Sequence, residues 1–331
     1  MRHTISIIAL VLMVFGCSVD VPDLDSGEYR CRRQSDCAAG YVCSYDAYCL
    51  TETNPVERAF VDLTAAQLNL SESLKMFNPG IQQPFDVDAS ITKNLSVMRH
   101  EVTDLMWQTL MVDIAEVEPL ACPDCPKTNV SYFDALRFAN ALSAQQGLTQ
   151  CFDLSLCNNQ LTCDVASVVN AGVVGCDGYR LPTEVEWQLI AMAGQAEHLP
   201  GLGFEQSVDD VFASTFQALG DIAWFASNSN ETLQPVMTKD ANQLGVFDMS
   251  GNASEWVLDA YTESPAGGQD ALTTSGDGTN DVVTRGGSYT TSLTLTGEEP
   301  EPSALLFSTR YFSNANDSEI STGFRLVRSL P

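Results

Sequence analysis

Basic residues are scarce in this 331-residue chain: 16 Lys and Arg stand against 43 Asp and Glu, a formal charge of -27. A surface this acidic repels phosphate backbones and anionic lipid heads, which argues against nucleic-acid binding and electrostatic adhesion to membranes. It suits the capture of cations. Histidine is nearly absent, with only His3, His100 and His198, too little material for a histidine-rich zinc site or a Ser-His-Asp triad. Cysteine stops at Cys176, so the second half of the chain offers no thiolate. What remains is 44% hydrophobic and 18% charged, enough apolar text for one large core or two smaller ones.

The chain opens on MRHTISIIALVLMVFGCSVD. Arg2 and His3 form a short positive head, and the apolar run 5–15 is too short to span a bilayer but fits a signal-peptide core. VFGC at 14–17 resembles the bacterial lipobox. That implies removal of residues 1–16, diacylation of Cys17 and an anchor in which each buried methylene contributes roughly 0.8 kcal/mol. An ordinary secretory signal with a chance cysteine is the other reading. Ser18 rather than aspartate after the cysteine leans toward the outer membrane. On this reading the chain meets the membrane only through its lipid, and residues 17–30 form an acidic tether.

Setting Cys17 aside leaves ten of the eleven cysteines, an even number, as expected in an oxidising compartment. Cys31, Cys37, Cys43 and Cys49 recur every six residues in CRRQSDCAAGYVCSYDAYC. A block of about 20 residues cannot build a core, so disulfides within 31–49 are expected to hold it; a four-cysteine zinc knuckle is the rival. It resembles the small C-x5-C modules that follow the lipid anchor in secreted bacterial proteins. Residues 50–56, around TETNP, read as a linker. Cys122 and Cys125 lie in ACPDCPK, where flanking prolines in a loop favour a local staple over thiol-oxidoreductase chemistry. Cys151, Cys157, Cys163 and Cys176 allow three pairings, and they occupy an insertion expected to have little core of its own.

Residues 57–331 contain two clear helices. VSYFDALRFANALSAQQG opens with a Ser131–Asp134 capping pair, carries Phe133, Leu136, Phe138 and Leu142 at near-helical spacing, and stops at Gly147. PTEVEWQLIAMAG is capped by Thr183 with Glu186 as its box partner, buries Trp187 and ends at Gly194. Beyond Pro200 the text is loops and short strands, an α+β pattern with much irregular structure. Gly286 and Gly287 point to a backbone that a side chain would forbid. Arg285 and Arg325 are expected to pair with buried carboxylates such as Glu186 or Glu255, with substrate binding as the lesser reading.

The order of short motifs is more specific. HEVTDLMW (100–107), VSYFDALRFANALS (130–143), GYRLPTEVEW (178–187), LGVFDMSGNASEW (244–256), TRGGSY (284–289) and GFRLV (323–327) follow one another over about 230 residues. The series resembles the sulfatase-modifying-factor family, that of the formylglycine-generating enzyme. The resemblance implies the α+β variant of the C-type-lectin fold, low in regular secondary structure. It also implies calcium at Asp248, Gly251, Ala253 and Glu255, the outer two giving side-chain oxygens and the inner two carbonyls, the ligand types calcium favours. Asp248 stands where the family has an amide. A purely structural Asx-type loop is the other reading of this stretch. A second calcium site maps more weakly to Asn228 and Ser229.

The family's enzyme binds copper(I) through two cysteines five apart, a few residues after RGGSY. Thr291 and Thr296 stand there, and a hard, protonated hydroxyl cannot replace a thiolate for a soft ion, so copper is not expected. Two further departures are Ser254, where the family has an aromatic residue, and 198–216, whose role is not legible. Three functions stay open: a non-catalytic, calcium-stabilised binding or scaffold lipoprotein of the cell envelope, with an envelope protein or glycan as partner; a formylglycine-generating oxidase acting on a sulfatase cysteine; and another chemistry on the same fold. The last resembles the iron-dependent sulfoxide synthases, which need a histidine triad that His100 and His198 cannot supply.

Overall fold

The computed structural model describes residues 42–43, 49–50, 56–79, 83–112, 120–157, 163–193, 219–276, 278–292 and 304–331. The readings that concern Cys17, Cys31, Cys37, Gly194, His198, Thr296 and the 198–216 segment lie outside them. Of the four-cysteine block, the described part is an antiparallel pair, β1 (Val42–Cys43) with β2 (Cys49–Leu50), in register so that Cys43 faces Cys49 along the backbone.

The main domain begins with β3 (Phe60–Leu63), α1 (Ala65–Leu68), β4 (Leu74–Asn78), β5 (Gln83–Val87), β6 (Ala89–Ser90) and β7 (Leu95–Met98). The helices α2 (Asp104–Met111), α3 (Tyr132–Gln145), α4 (Val165–Val168), α5 (Glu184–Met192) and α6 (Ala226–Ser229) follow. The chain closes with β8 (Ser254–Ala260), β9 (Gly268–Gln269), β10 (Asp281–Arg285), β11 (Arg310–Asn314), β12 (Thr322–Phe324) and β13 (Val327–Ser329). The larger sheet runs β11-β10-β8-β12, with β12 parallel to β8, and a three-stranded sheet runs β13-β7-β3. This is the expected α+β architecture, held largely by loops.

Both expected capping boxes form. Ser131 and Asp134 cap α3, and Thr183 and Glu186 cap α5, each side chain satisfying a backbone donor that the first turn leaves unpaired. The apolar stripe of α3 buries Phe133, Leu136, Phe138 and Leu142 against α2, Trp256 and Phe324. Gly147 takes a left-handed φ of +69° just past the helix. At the end of α5 the left-handed residue is Ala193, φ +53°, whose N–H bonds back to Leu189 and Ile190.

Helix α5 is buried all round, including Glu184, Glu186 and Gln188. A second apolar cluster packs on it, from β4, β7, Phe225, Val257 and Val283. The cysteine-bearing insertion departs from expectation. Val165, Val168, Val169, Val173 and Val174 join the same core as α3, so this segment is tied in by burial as well as by covalent bonds. Its disulfides are Cys151–Cys176 and Cys157–Cys163, and Cys122–Cys125 forms the local staple.

Candidate functional site

The sequence FDMSGNASEW folds as a tight loop entering β8. Asp248, Gly251 and Asn252 take left-handed φ values of +55°, +77° and +56°. Only glycine fits at 251, because a Cβ there would lie 2.1 Å from the Trp224 carbonyl oxygen. Asn252 locks the loop laterally: its N–H bonds Trp224 O at 2.7 Å, and its amide group exchanges two 3.1 Å bonds with the backbone of Gln234.

Glu255 follows on β8 and is gripped from the C-terminal segment. Arg325 places Nη2 at 2.6 Å from Oε1 and Nε at 2.8 Å from Oε2, and Trp187 donates Nε1–H to Oε2 at 2.8 Å. The pair is buried, and the Glu255 carboxylate holds the Arg325 guanidinium above its ordinary pKa against the opposing effect of burial. Of the two carboxylates offered as partners for Arg325, it is Glu255 that takes it.

Two more carboxyls stand beside this pair. Asp248 accepts from Met237 N at 2.8 Å through Oδ2, while its buried Oδ1 has no hydrogen-bond partner. Glu101, three residues after β7, accepts weakly from Ala253 N at 3.4 Å through Oε1, and its Oε2 is buried without a partner. Burial lifts Asp248 to about 6, opposed by the Met237 bond and Arg325 and reinforced by Glu255. Burial and then the Asp248 charge push Glu101 well above the carboxylate range. Three acids thus share one guanidinium, with the Lys239 ammonium also acting on Asp248, which leaves an excess of negative charge for protons or a further cation to balance.

These residues fit calcium in part. The free Asp248 Oδ1 is the donor type the ion takes. Glu255 spends both oxygens on Arg325 and Trp187 and would have to share them. Among the described residues no three His, Cys, Asp or Glu side chains form a ready-made metal cage, so loop carbonyls would have to complete one. Asn228 and Ser229, the residues of the second expected site, are engaged within the protein. Asn228 Oδ1 accepts from Phe225 N at 2.8 Å, and Ser229 Oγ donates to Tyr289 O at 2.9 Å; both hold α6 and its neighbours together.

Thr291 does not fit copper. Its Oγ1 accepts from Ser288 N at 2.9 Å and closes the turn after β10, while its carbonyl accepts from Ala226 N at 3.1 Å. Gly286 and Gly287 lead into this turn with φ of +90° and +67°, as their sequence implied.

Arg285 pairs elsewhere than expected. Its Nη1 lies 2.6 Å from Glu184 Oε1 rather than meeting Glu186 or Glu255, and Arg310 grips both oxygens of Glu184 at 2.8 and 2.7 Å. Glu186 belongs to Arg180, with bonds of 2.6 and 2.8 Å. The reason is helical geometry: Glu184 and Glu186, two apart on α5, point to different sides. Burial acts to raise the Glu184 carboxyl, but Arg310 and Arg285 outweigh it and hold it low. Asp259 bonds Glu184 N at 2.7 Å and Thr273 N at 2.8 Å. Burial and the Glu184 charge raise its pKa to about 7.

The sequence reading missed Glu101, Glu184, Arg310 and Asp259.

The family profile described as the sulfatase-modifying factor enzyme 1-like domain matches residues 48–330. The chain is 28% identical over 193 residues to chaperone protein LppX of Paenibacillus barcinonensis, covering 54% of this chain and 68% of that protein. A shorter likeness, 34% over 91 residues, joins it to serine/threonine-protein kinase pkn1 of Chlamydia caviae, covering 28% of this chain and 12% of the kinase. Among solved structures, Treponema denticola variable protein 1 superposes with a TM-score of 0.57 at 23% identity, over 82% of this chain and 95% of that one. PvdO from Pseudomonas aeruginosa superposes with 0.54 at 20%, over 82% and 94%. Likeness at this level concerns the fold alone.

Proposed function

Because this chain belongs to the sulfatase-modifying factor enzyme 1-like family, we propose that it is a member that binds rather than oxidises. In this reading it is a lipoprotein of the cell envelope, anchored through Cys17 at the outer membrane, whose calcium-stabilised domain holds an envelope protein or a glycan. The observation that carries the reading is Thr291: at the first copper position stands a hydroxyl already committed to the Ser288 turn, and no cysteine follows Cys176. A thiolate pair is what copper(I) chemistry demands. The described cysteines of the insertion are all in disulfides, which leaves none of them to substitute. The likeness to a protein named a chaperone suits holding another chain more than transforming it.

Asp248 and Glu255, with the carbonyls of Gly251 and Ala253, would hold the calcium, whose role is to neutralise the acidic loop and fix its shape. The test of the whole reading is chemical. Purified protein, copper(I), oxygen and a sulfatase-type cysteine peptide are mixed, and the peptide is weighed. An unchanged mass is expected. Conversion of its cysteine to formylglycine, a loss of roughly 18 Da, would establish an oxidase instead. Mass spectrometry of the N-terminal peptide checks the anchor, with a free Cys17 thiol or retained Met1 as the contrary result.

A further inference from the structure

The Cys122–Cys125 disulfide closes a short loop between α2 and α3. The carbonyls of this loop face the start of α2: Asp104 N donates to Cys125 O at 3.0 Å, and Leu105 N to Pro123 O at 2.9 Å. A thiol oxidoreductase has its C-x-x-C sulfur at a helix N-terminus, where N–H groups lower the thiol pKa. Here backbone carbonyls occupy that place, so the staple is not built as a catalytic pair. Its connections point to another use.

Two segments that shape the acidic loop meet at this staple. On one side, Lys127 N bonds Val102 O at 2.7 Å and Thr103 bridges Pro126, which ties the chain leaving Glu101 to the staple. On the other, Val236 N bonds Asp124 O at 2.8 Å, and Leu233 O rests 3.7 Å from Cys125 Sγ. The alternate residues of the same segment bond in the other direction. Gln234 exchanges two bonds with the Asn252 amide, and Met237 N holds Asp248 Oδ2 at 2.8 Å. Residues 233–237 thus link the staple to the Asp248 loop. Cys125 is buried, whereas Cys122 is partly exposed and open to attack.

We propose that Cys122–Cys125 is a redox clasp on the Asp248 loop, opened by a dithiol. One thiolate of the reagent attacks Cys122 Sγ, and the S–S bond breaks toward Cys125, which takes a proton. The second thiol then displaces Cys122 from the mixed disulfide. Two electrons and two protons pass to the protein, and the reagent leaves as a disulfide. The opened loop regains backbone freedom that the ring denied it, its carbonyls lose their fixed positions, and 233–237 loosen with them. Calcium affinity at Asp248 falls as a result, a consequence that rests on the calcium reading above. Linkage makes the effect mutual: calcium protects the disulfide by the same factor by which reduction weakens calcium.

The test applies dithiothreitol to the folded full chain, traps the freed thiols with iodoacetamide and maps them. Amide exchange is followed in the oxidised chain, in the chain reduced at Cys122–Cys125 and in a Cys122→Ser, Cys125→Ser double variant. Exchange at Gln234, Val236 and Met237 should quicken in the last two, with α5 unchanged as the sign that the fold is intact. Both should bind calcium at least about fivefold more weakly by calorimetry, and saturating calcium should oppose reduction by a matching factor. A Cys157→Ser, Cys163→Ser variant, which opens the insertion instead, should leave exchange at 233–237 and calcium affinity at the wild-type level. Unchanged exchange at 233–237, or calcium affinity indifferent to the state of the clasp, would overturn the proposal. If the oxidised chain binds no calcium, the calcium reading fails, and exchange at 233–237 alone decides the clasp.

Discussion

Trp187 touches two buried charge clusters of opposite balance. Its ring lies under Arg285, 5.1 Å from the centroid, which belongs with Arg310 to the Glu184 cluster. Its indole N–H bonds Glu255, which shares Arg325 with Asp248 and Glu101. At Glu184 two guanidiniums surround one carboxylate; Gln188 and the Phe307 carbonyl accept from Arg285, the Thr262 and Glu263 carbonyls accept from Arg310, and Arg285 Nε is buried without a partner. At Asp248 three carboxyls surround one guanidinium, and two buried oxygens lack partners. The first cluster has its carboxylate charge matched by guanidiniums and works as scaffold. The second is short of positive charge, and that difference, more than the loop motif alone, is what supports the proposed calcium site there.

Removing the central acid of the first cluster should have the largest effect. Glu184→Gln strands Arg285 and Arg310 in the core, and urea unfolding should show a loss of about 3–5 kcal/mol. Glu255→Gln should cost less, because Glu101 and Asp248 still face Arg325. Equal losses would mean that the two clusters are not opposite in balance.

The next effect is in pH. Asp259 has its pKa raised to about 7 by burial and by Glu184, from an ordinary value near 4 in the unfolded chain. Between these values the folded state keeps a proton that the unfolded state releases. This contribution to stability is therefore full below about 4 and is lost as pH rises through about 7. Asp259→Asn should flatten the fall in stability over that window by a few kcal/mol. An unchanged slope would place the titration elsewhere.

The smallest effect belongs to the turn after β10. Thr291→Ala removes one hydroxyl that accepts from Ser288 N, and should cost about 0.5–1.5 kcal/mol. Copper(I) affinity should stay at the wild-type level. A measurable loss of copper binding in the variant would reopen a redox role for this position.

Much of the architecture was legible because it is written locally. Ser131 with Asp134 and Thr183 with Glu186 announce helix starts by backbone chemistry, and the motif order from HEVTDLMW to GFRLV fixed the family. The charge clusters were only half legible. A buried carboxylate for Arg325 was expected with Glu186 and Glu255 both open, the partner of Arg285 depends on which side of α5 each glutamate faces, and Arg310 arrives from a strand 126 residues away in sequence from Glu184. Glu101 lies in a recognised motif, yet its closeness to Asp248 arises only when β7 packs beside the loop. The burial of the valine-rich insertion was also hidden, since 163–176 has no long periodic stretch and packs through short helical turns.

Thermal unfolding of the wild-type chain in chelator and in calcium tests the central contrast most directly. Metal held only by the native state stabilises it by mass action, about 2.7 kcal/mol at a hundredfold excess over Kd. Calcium should raise the melting temperature of the wild type and of a Thr291→Ala control, and the rise should vanish in Asp248→Ala and in Glu255→Gln. Identical melting of the wild type with calcium and with chelator would contradict the account.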